Sequence, residues 1–508
     1  MTGPMNTGSA LNSARTIAVA AIAIGLLDQW LFVDTALGIN VPIFFAALLA
    51  AGWLLRPAGR PLPRARDAWL PIAAIALAAF AALRGDTTLV TLDVLGAFAL
   101  TGAALASFGG LGVVERSIEG LLTMGGRMAL SATIGGGRLV AAMRRALPLA
   151  RGQSSLRRAG PVLRGLLIAL PLVILFAALF AAADAVFARI AEDLFNWNFD
   201  LGSLPTRIGV ALLAAWLAAG LLVFVVIGDG DVPAQGTASR KALIRLGSGE
   251  ATTVLVVLDV LFAGFVALQG AYLFGGQDTL AASDLTYAEY ARRGFFELLA
   301  VAFVVGGLIL AGEWLVARRT GAYLAAAIGL VGLTAVVLGS ALLRLRLYQE
   351  AYGWTELRFY VLAAIGWLAI GCLLAVVTLA TDRSRWLLHG MLGLSIVFGV
   401  AFNLIGPVRL IAEQNIQRAA HPELVAPGGD IGLDVYYLAS LGDDALPVLA
   451  ESLCYLPASV SGEAVDVVRI WTNRLAHDAL GRAWQSWNLS RERARDIRFP
   501  AICLLSSR

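Results

Sequence analysis

Apolar runs separated by short polar connections fill the chain from near its start to about residue 405. They cover 16–33, 41–55, 69–83, 89–108, 162–188, 208–227, 251–274, 294–316, 323–343, 359–380 and 387–405. A hydrocarbon core about 30 Å thick needs roughly 20 apolar helical residues to cross it, and most of these runs reach that length. The pattern predicts an all-α fold, a polytopic transmembrane helical bundle of about 11 spans. The first two runs are short enough for a re-entrant pair, which leaves the count open by one. After 405 the polarity becomes ordinary and helical periodicity recurs over 408–420, 433–441, 445–456 and 463–480. That change predicts a small helical C-terminal domain on the extracytoplasmic side.

The connections divide the chain further. Residues 1–15 read as a polar N-terminal tail, and 16–108 as the first transmembrane helices, the opening run being an uncleaved anchor because further runs follow at once. Over 109–160 the hydropathy weakens and arginine recurs at 116, 127, 138, 144, 145, 151, 157 and 158. Glycines at 125–126 and 135–137 are expected to break this cytoplasmic basic region into short pieces. These are either amphipathic helices lying on the membrane surface or a solvated loop that fixes topology. Residues 161–406 then form the main bundle and 407–508 the extracytoplasmic domain.

Composition narrows the class without naming a reaction. The chain is 59% hydrophobic and 15% charged, far from the balance of soluble domains. Its positive charges fall between apolar runs, so nucleic-acid binding has no support. Connections at 56–66, 240–245, 318–319 and 383–385 carry most of the short-loop arginines. The positive-inside rule therefore places the N-terminus in the cytoplasm and, across an odd number of spans, the C-terminal domain outside.

Arginines that break this rule are the candidates for function. One block holds Tyr287, Glu289, Arg292, Arg293 and Glu297; the other, within 340–360, holds Arg344, Arg346, Tyr348, Glu350, Tyr352 and Arg358. Helical spacing sets Glu289 against Arg292 and Arg293, and Arg346 against Glu350. Two readings stay open: an arginine-lined outward cavity binding an anionic ligand or lipid headgroup, or an interfacial lattice of ion pairs with an aromatic belt. Asp184 and Asp259, inside apolar runs, are candidates for proton coupling, and Asp28 and Asp93 sit near run ends. Cys454 and Cys503 fall in the C-terminal domain and are candidates to pair in an oxidising compartment. Three scattered histidines and the missing phosphate-loop, dinucleotide and nucleophile-elbow motifs give no catalytic residues, metal or cofactor.

The stretches YLFGG (272–276), LTYAEYARRGFFEL (285–298) and SALLRLRLYQEAYGWTELRFY (340–360) carry a resemblance, as do AAADAVFA near Asp184 and NLIG…EQN over 403–415. With WNLSRERARD near the end, they resemble a bacterial multi-pass membrane family catalogued as a domain of unknown function (DUF 4173, akin to DUF 4153). The resemblance implies a bacterial inner-membrane location and no activity. Whether the chain is an enzyme stays open, leaning against. Three function classes remain: a non-enzymatic transport-like or accessory protein, a membrane-embedded sensor or partner protein, and a transferase or hydrolase on lipid-linked substrates. Expected partners are membrane lipids, an anionic small molecule or headgroup, and a protein meeting the C-terminal domain.

Overall fold

The structure, a computed structural model, describes residues 7–57, 59, 62–114, 116, 118–146, 204–227, 247–274, 295–316, 319–383, 386–425, 432–478 and 480–497. Among these residues the fold is all-helical. In chain order the helices are α1 (Thr7–Phe32), α2 (Asn40–Leu54), α3 (Leu70–Phe80), α4 (Thr87–Phe108), α5 (Ile118–Ala146), α6 (Leu204–Ile227), α7 (Ser248–Phe274) and α8 (Phe295–Leu315). They continue with α9 (Gly321–Tyr352), α10 (Glu356–Ala380), α11 (Leu387–Ile405), α12 (Pro407–Ala420), α13 (Val435–Ser440), α14 (Leu446–Ser452), α15 (Ala458–His477) and α16 (Leu489–Arg495).

Among the described residues seven helical segments are long and apolar enough to cross a membrane: Ser13–Phe32, Thr87–Phe108, Arg207–Val226, Ser248–Ala267, Gly321–Tyr352, Glu356–Ala380 and Leu387–Ile405. This is the architecture of a membrane protein. Seven of the eleven apolar runs thus correspond to helices of spanning length. Three others form shorter helices, α2, α3 and the apolar stretch Leu298–Gly312 of α8. The run at 162–188 lies outside the described residues. Large apolar side chains point away from the protein, Leu261 at 65% and Leu373 at 64% exposure among them. Lipid tails solvate such faces at no cost, whereas water would not.

The chain forms two compact units. The first comprises Met1–Ala82, Asp93–Pro233 and Ala479–Asn488; the second comprises Leu83–Leu92, Ala234–Asp478 and Leu489–Arg508.

In the first unit α6 packs along α1 and α5. The contacts rest on small residues, as close packing in lipid requires. A Cβ on Gly25 would run into the Ala211 carbonyl, and one on Gly220 into the Ser131 carbonyl and Ala132. The Ser131 hydroxyl donates to the Gly220 carbonyl at 2.8 Å, and Trp216 Nε1 donates to the Thr133 carbonyl at 2.7 Å. The glycines of 135–137 therefore do not break the helix as expected. They lie within a continuous α5 because their missing side chains admit Gly220 and Trp216. Buried Asp67 accepts from the Ser107 hydroxyl and the amides of Val113 and Val114, at 3.0–3.1 Å. Asn40, also buried, donates to the carbonyls of Leu31 and Ala36 and accepts the Gly38 amide. The segment Ala479–Asn488 is bound through backbone and side chain: the Ile39 amide donates to the Trp487 carbonyl at 3.0 Å, and Asn488 Nδ2 donates to the Ala81 carbonyl at 2.9 Å.

In the second unit α9 lies among α7, α8 and α10. Two buried clusters run along it, one around Leu255, Val305, Ala327 and Leu379, the other around Leu338, Ala341, Leu345 and Ile365. A third cluster joins α12–α15 to Phe359 of α10 through Ile411, Ile416, Leu438 and Val468. At one end of these helices Arg319 pairs with Asp382, so the α8–α9 and α10–α11 connections share a face. At the other end the α3–α4, α9–α10 and α11–α12 connections are tied together by bonds described below. Each group joins connections that the arginine pattern assigns to one side of the membrane.

The glycine contact yields a test. Gly220→Ala is expected to cost about 1–3 kcal/mol by overpacking. A Cβ on Gly264, on α7, meets nothing, so Gly264→Ala is expected to be neutral or to gain up to about 1 kcal/mol from helix propensity. Thermal unfolding of the purified chain in detergent separates the two.

Candidate functional site

A turn of four residues, 83–86, organises a polar cavity. The Gly85 amide donates to Asp444 Oδ2 at 2.8 Å, and an Arg84 guanidinium nitrogen donates to the Asn403 carbonyl. Ser490 Oγ sits between the Leu83 carbonyl, at 2.9 Å, and Asp444, so its single proton is shared between two acceptors. Asp86 caps α4: its Oδ1 accepts the Leu89 amide at 3.0 Å, and its Oδ2 accepts the Tyr360 hydroxyl at 3.1 Å.

Two glycines make the approach possible. Gly406, at φ +69°, is the left-handed corner between α11 and α12, and Pro407 then opens α12 with its fixed φ. A Cβ there would stand 3.0 Å from an Arg84 guanidinium nitrogen. Gly442, at φ +102°, lets the α13–α14 turn come up to the Gly85 carbonyl.

The result is a cavity of about 580 Å³ whose charged walls are Arg84, Arg409, Asp443, Asp444, Glu451, Arg493 and Asp496. Its size falls within the range for small-molecule pockets. Several of these charges are engaged. Arg409 Nε donates to Glu413 at 2.7 Å, and the Asp443 carboxylate lies 3.7 Å from Arg491. The side chains of Arg493 and Asp496 make no hydrogen bond or ion pair among the described residues. Burial pushes the Asp443 carboxyl above the ordinary carboxylate range; Arg491 opposes the shift and Asp444 adds to it. Burial likewise raises Asp86, against the hydrogen bonds from Leu89 and Tyr360. A guanidinium beside unsatisfied carboxylates can hold an anionic group and, next to it, a cationic one.

The residues singled out in the sequence divide differently. Tyr287, Glu289, Arg292, Arg293 and Asp184 lie outside the described residues, as does Cys503; Glu297 falls on α8. Arg344, Arg346, Tyr348, Glu350 and Tyr352 all belong to the last turns of α9, which extends beyond the apolar run ending at 343. Arg358 donates to the carbonyls of Tyr352 at 2.9 Å and Gly353 at 2.6 Å, and its guanidinium lies 4.1 Å from the Tyr348 ring centre. Tyr348 and Tyr352 meet with ring centres 5.0 Å apart. Arg346 and Glu350 are both exposed, and no ion pair joins them among the described residues. Asp259 lies on α7 against Gly329 of α9, with Oδ1 buried and without a hydrogen-bond partner.

Pattern reading missed Arg409, Asp443, Asp444, Ser490, Arg493 and Asp496 as a group. The signal was the acid pair after a glycine, Gly442-Asp443-Asp444, together with the charged stretch 490–496. A family model described as a domain of unknown function (DUF4153) matches residues 71–452, most of the chain. No curated protein and no solved structure matches it.

The raised carboxyls set a pH dependence. Folded Asp443 holds its proton more tightly than the unfolded chain, whose aspartates titrate at about 3.9. Its contribution is therefore complete below that value and declines as the pH rises through the window up to the folded-state value. Thermal unfolding across this window is expected to show a decline that Asp443→Asn makes shallower; parallel profiles for the two chains would refute the assignment.

Proposed function

The chain belongs to the family of the domain of unknown function DUF4153, and on that premise we propose that it is a non-enzymatic integral protein of the bacterial inner membrane that binds an anionic group, free or on a lipid headgroup. The observation that carries this reading is the 580 Å³ cavity with Arg84, Arg409 and Arg493 in its walls. Arg84 immediately precedes the α4 span and Arg409 follows the α11 span, so the cavity stands where helices leave the hydrocarbon and headgroups begin. In this reading the anion site belongs to the arginines around the 83–86 turn, while Arg358 serves the backbone.

The full topology of about eleven crossings, a cytoplasmic N-terminus, the 109–160 region inside and the 407–508 domain outside belongs to the same proposal. Its support is the arginine distribution and the grouping of connections within the second unit. A transport-like role is favoured over a purely accessory one by Asp259, a carboxylate oxygen buried in a span without a hydrogen-bond donor. Intramembrane carboxylates of this kind commonly carry protons along ion pathways.

Native mass spectrometry of the detergent-solubilised chain tests the anion site. Phosphatidylglycerol is expected to be retained, with occupancy falling about tenfold in Arg409→Ala and Arg493→Ala, each loss removing one charge-assisted contact. Arg346→Ala, at an exposed position, is expected to retain it. Equal retention by all variants would overturn the reading.

A further inference from the structure

A second cavity, of about 290 Å³, lies within the first unit between α1, α2, α4 and α6. Its character is the opposite of the first. The walls are aliphatic and aromatic, and Asp28 is the one charged residue lining it. Four phenylalanines form a continuous series of edge-to-face contacts there: Phe32 with Phe44 at 5.7 Å, Phe44 with Phe45 at 5.9 Å, and Phe45 with Phe98 at 4.7 Å between ring centres. Asp28 makes no hydrogen bond or ion pair among the described residues. Arg207, the one described arginine on α6, is paired with Asp34.

Asp28 lies one helical turn before the end of the span Ser13–Phe32, near the depth at which amphiphiles gather. A carboxylate within a span is costly unless something compensates it. A lipid tail filling the cavity would match the phenylalanines and leave that charge uncompensated. An inorganic cation would meet the charge but would lose its water against apolar walls. The ligand that satisfies both is an organic cation with an apolar body, whose positive charge meets the carboxylate while ring faces stabilise it. The cavity equals the volume of about ten waters, room for a body of one ring and a small alkylammonium head.

We infer that the Asp28 cavity is a binding site for lipophilic organic cations, a site independent of the anion-binding reading above. Asp28 supplies the ion pair, the Phe32, Phe44 and Phe98 rings the apolar and cation–π contacts, and Ala214 and Ala218 of α6 the space.

Equilibrium dialysis of the full chain in nanodiscs, against empty nanodiscs as background, tests this with two probes of equal shape. Benzyltrimethylammonium carries the charge and neopentylbenzene lacks it. Saturable binding of the cation, about tenfold tighter than that of the hydrocarbon, is expected for the native chain. Asp28→Asn is expected to remove that preference and Asp28→Glu to keep it. Equal binding of both probes by the native chain, or a cation preference that survives Asp28→Asn, overturns the inference. So does failure of the folded native chain to take up the cation. The first comparison requires no variant, so it stands even if Asp28→Asn fails to fold.

Discussion

Two guanidinium groups hold the carboxyl end of α9, and the polar end of the second unit depends on them. A helix leaves its last carbonyls without internal donors, and at a membrane boundary each such carbonyl needs a partner. Arg358 takes the carbonyls of Tyr352 and Gly353, and Arg418 of α12 takes those of Gln349, Glu350 and Ala351. Asn415 closes the same corner, accepting the Trp354 amide and donating to its carbonyl, each at 2.8 Å. Positive charge at a helix C-terminus is also favoured by the helix dipole. These bonds fix α12 against the α9–α10 corner, and α12 in turn presents Arg409 to the cavity.

Polar groups at the boundaries of the spans are thus mostly committed to backbone. Asp86 caps a helix, Tyr437 accepts the Glu356 amide at the start of α10, and Asp67 and Asn40 bind connecting segments. Against that background the groups left over carry information. Arg493 and Asp496 in one unit, and Asp28 in the other, face cavities rather than carbonyls. The two cavities differ in chemistry, one with seven charged residues in its walls, the other aliphatic and aromatic with a single carboxylate.

Most of the fold was legible because bilayer thickness imposes a length that a sequence displays directly. The end of α9 was less so. Its apolar run stops at 343, but the helix continues to Tyr352 because nothing polar needs to end a helix once it has left hydrocarbon. Arg344 and Arg346 look out of place when that boundary is read as the helix end; on a helix of 32 residues, roughly 48 Å long, they stand near the interface. The glycines of α5 misled in the same way, since a missing side chain signals either a break or a close neighbour, and only Gly220 decides which. The polar cavity was illegible as a unit. Its walls come from 84, 409, 443–451 and 490–497, distant positions that only tertiary contact unites.

The short segment Ala479–Asn488 belongs to the first unit, although the residues on both sides of it belong to the second. Synthesis proceeds from the N-terminus, so helices α1 to α6 leave the ribosome long before the segment that packs on them. The Trp487 carbonyl and the Asn488 side-chain amide follow only after α7 to α15. Membrane insertion and final assembly of that unit must therefore be separate events in time. The early helices wait in the bilayer, incomplete, while nearly all of the other unit is made.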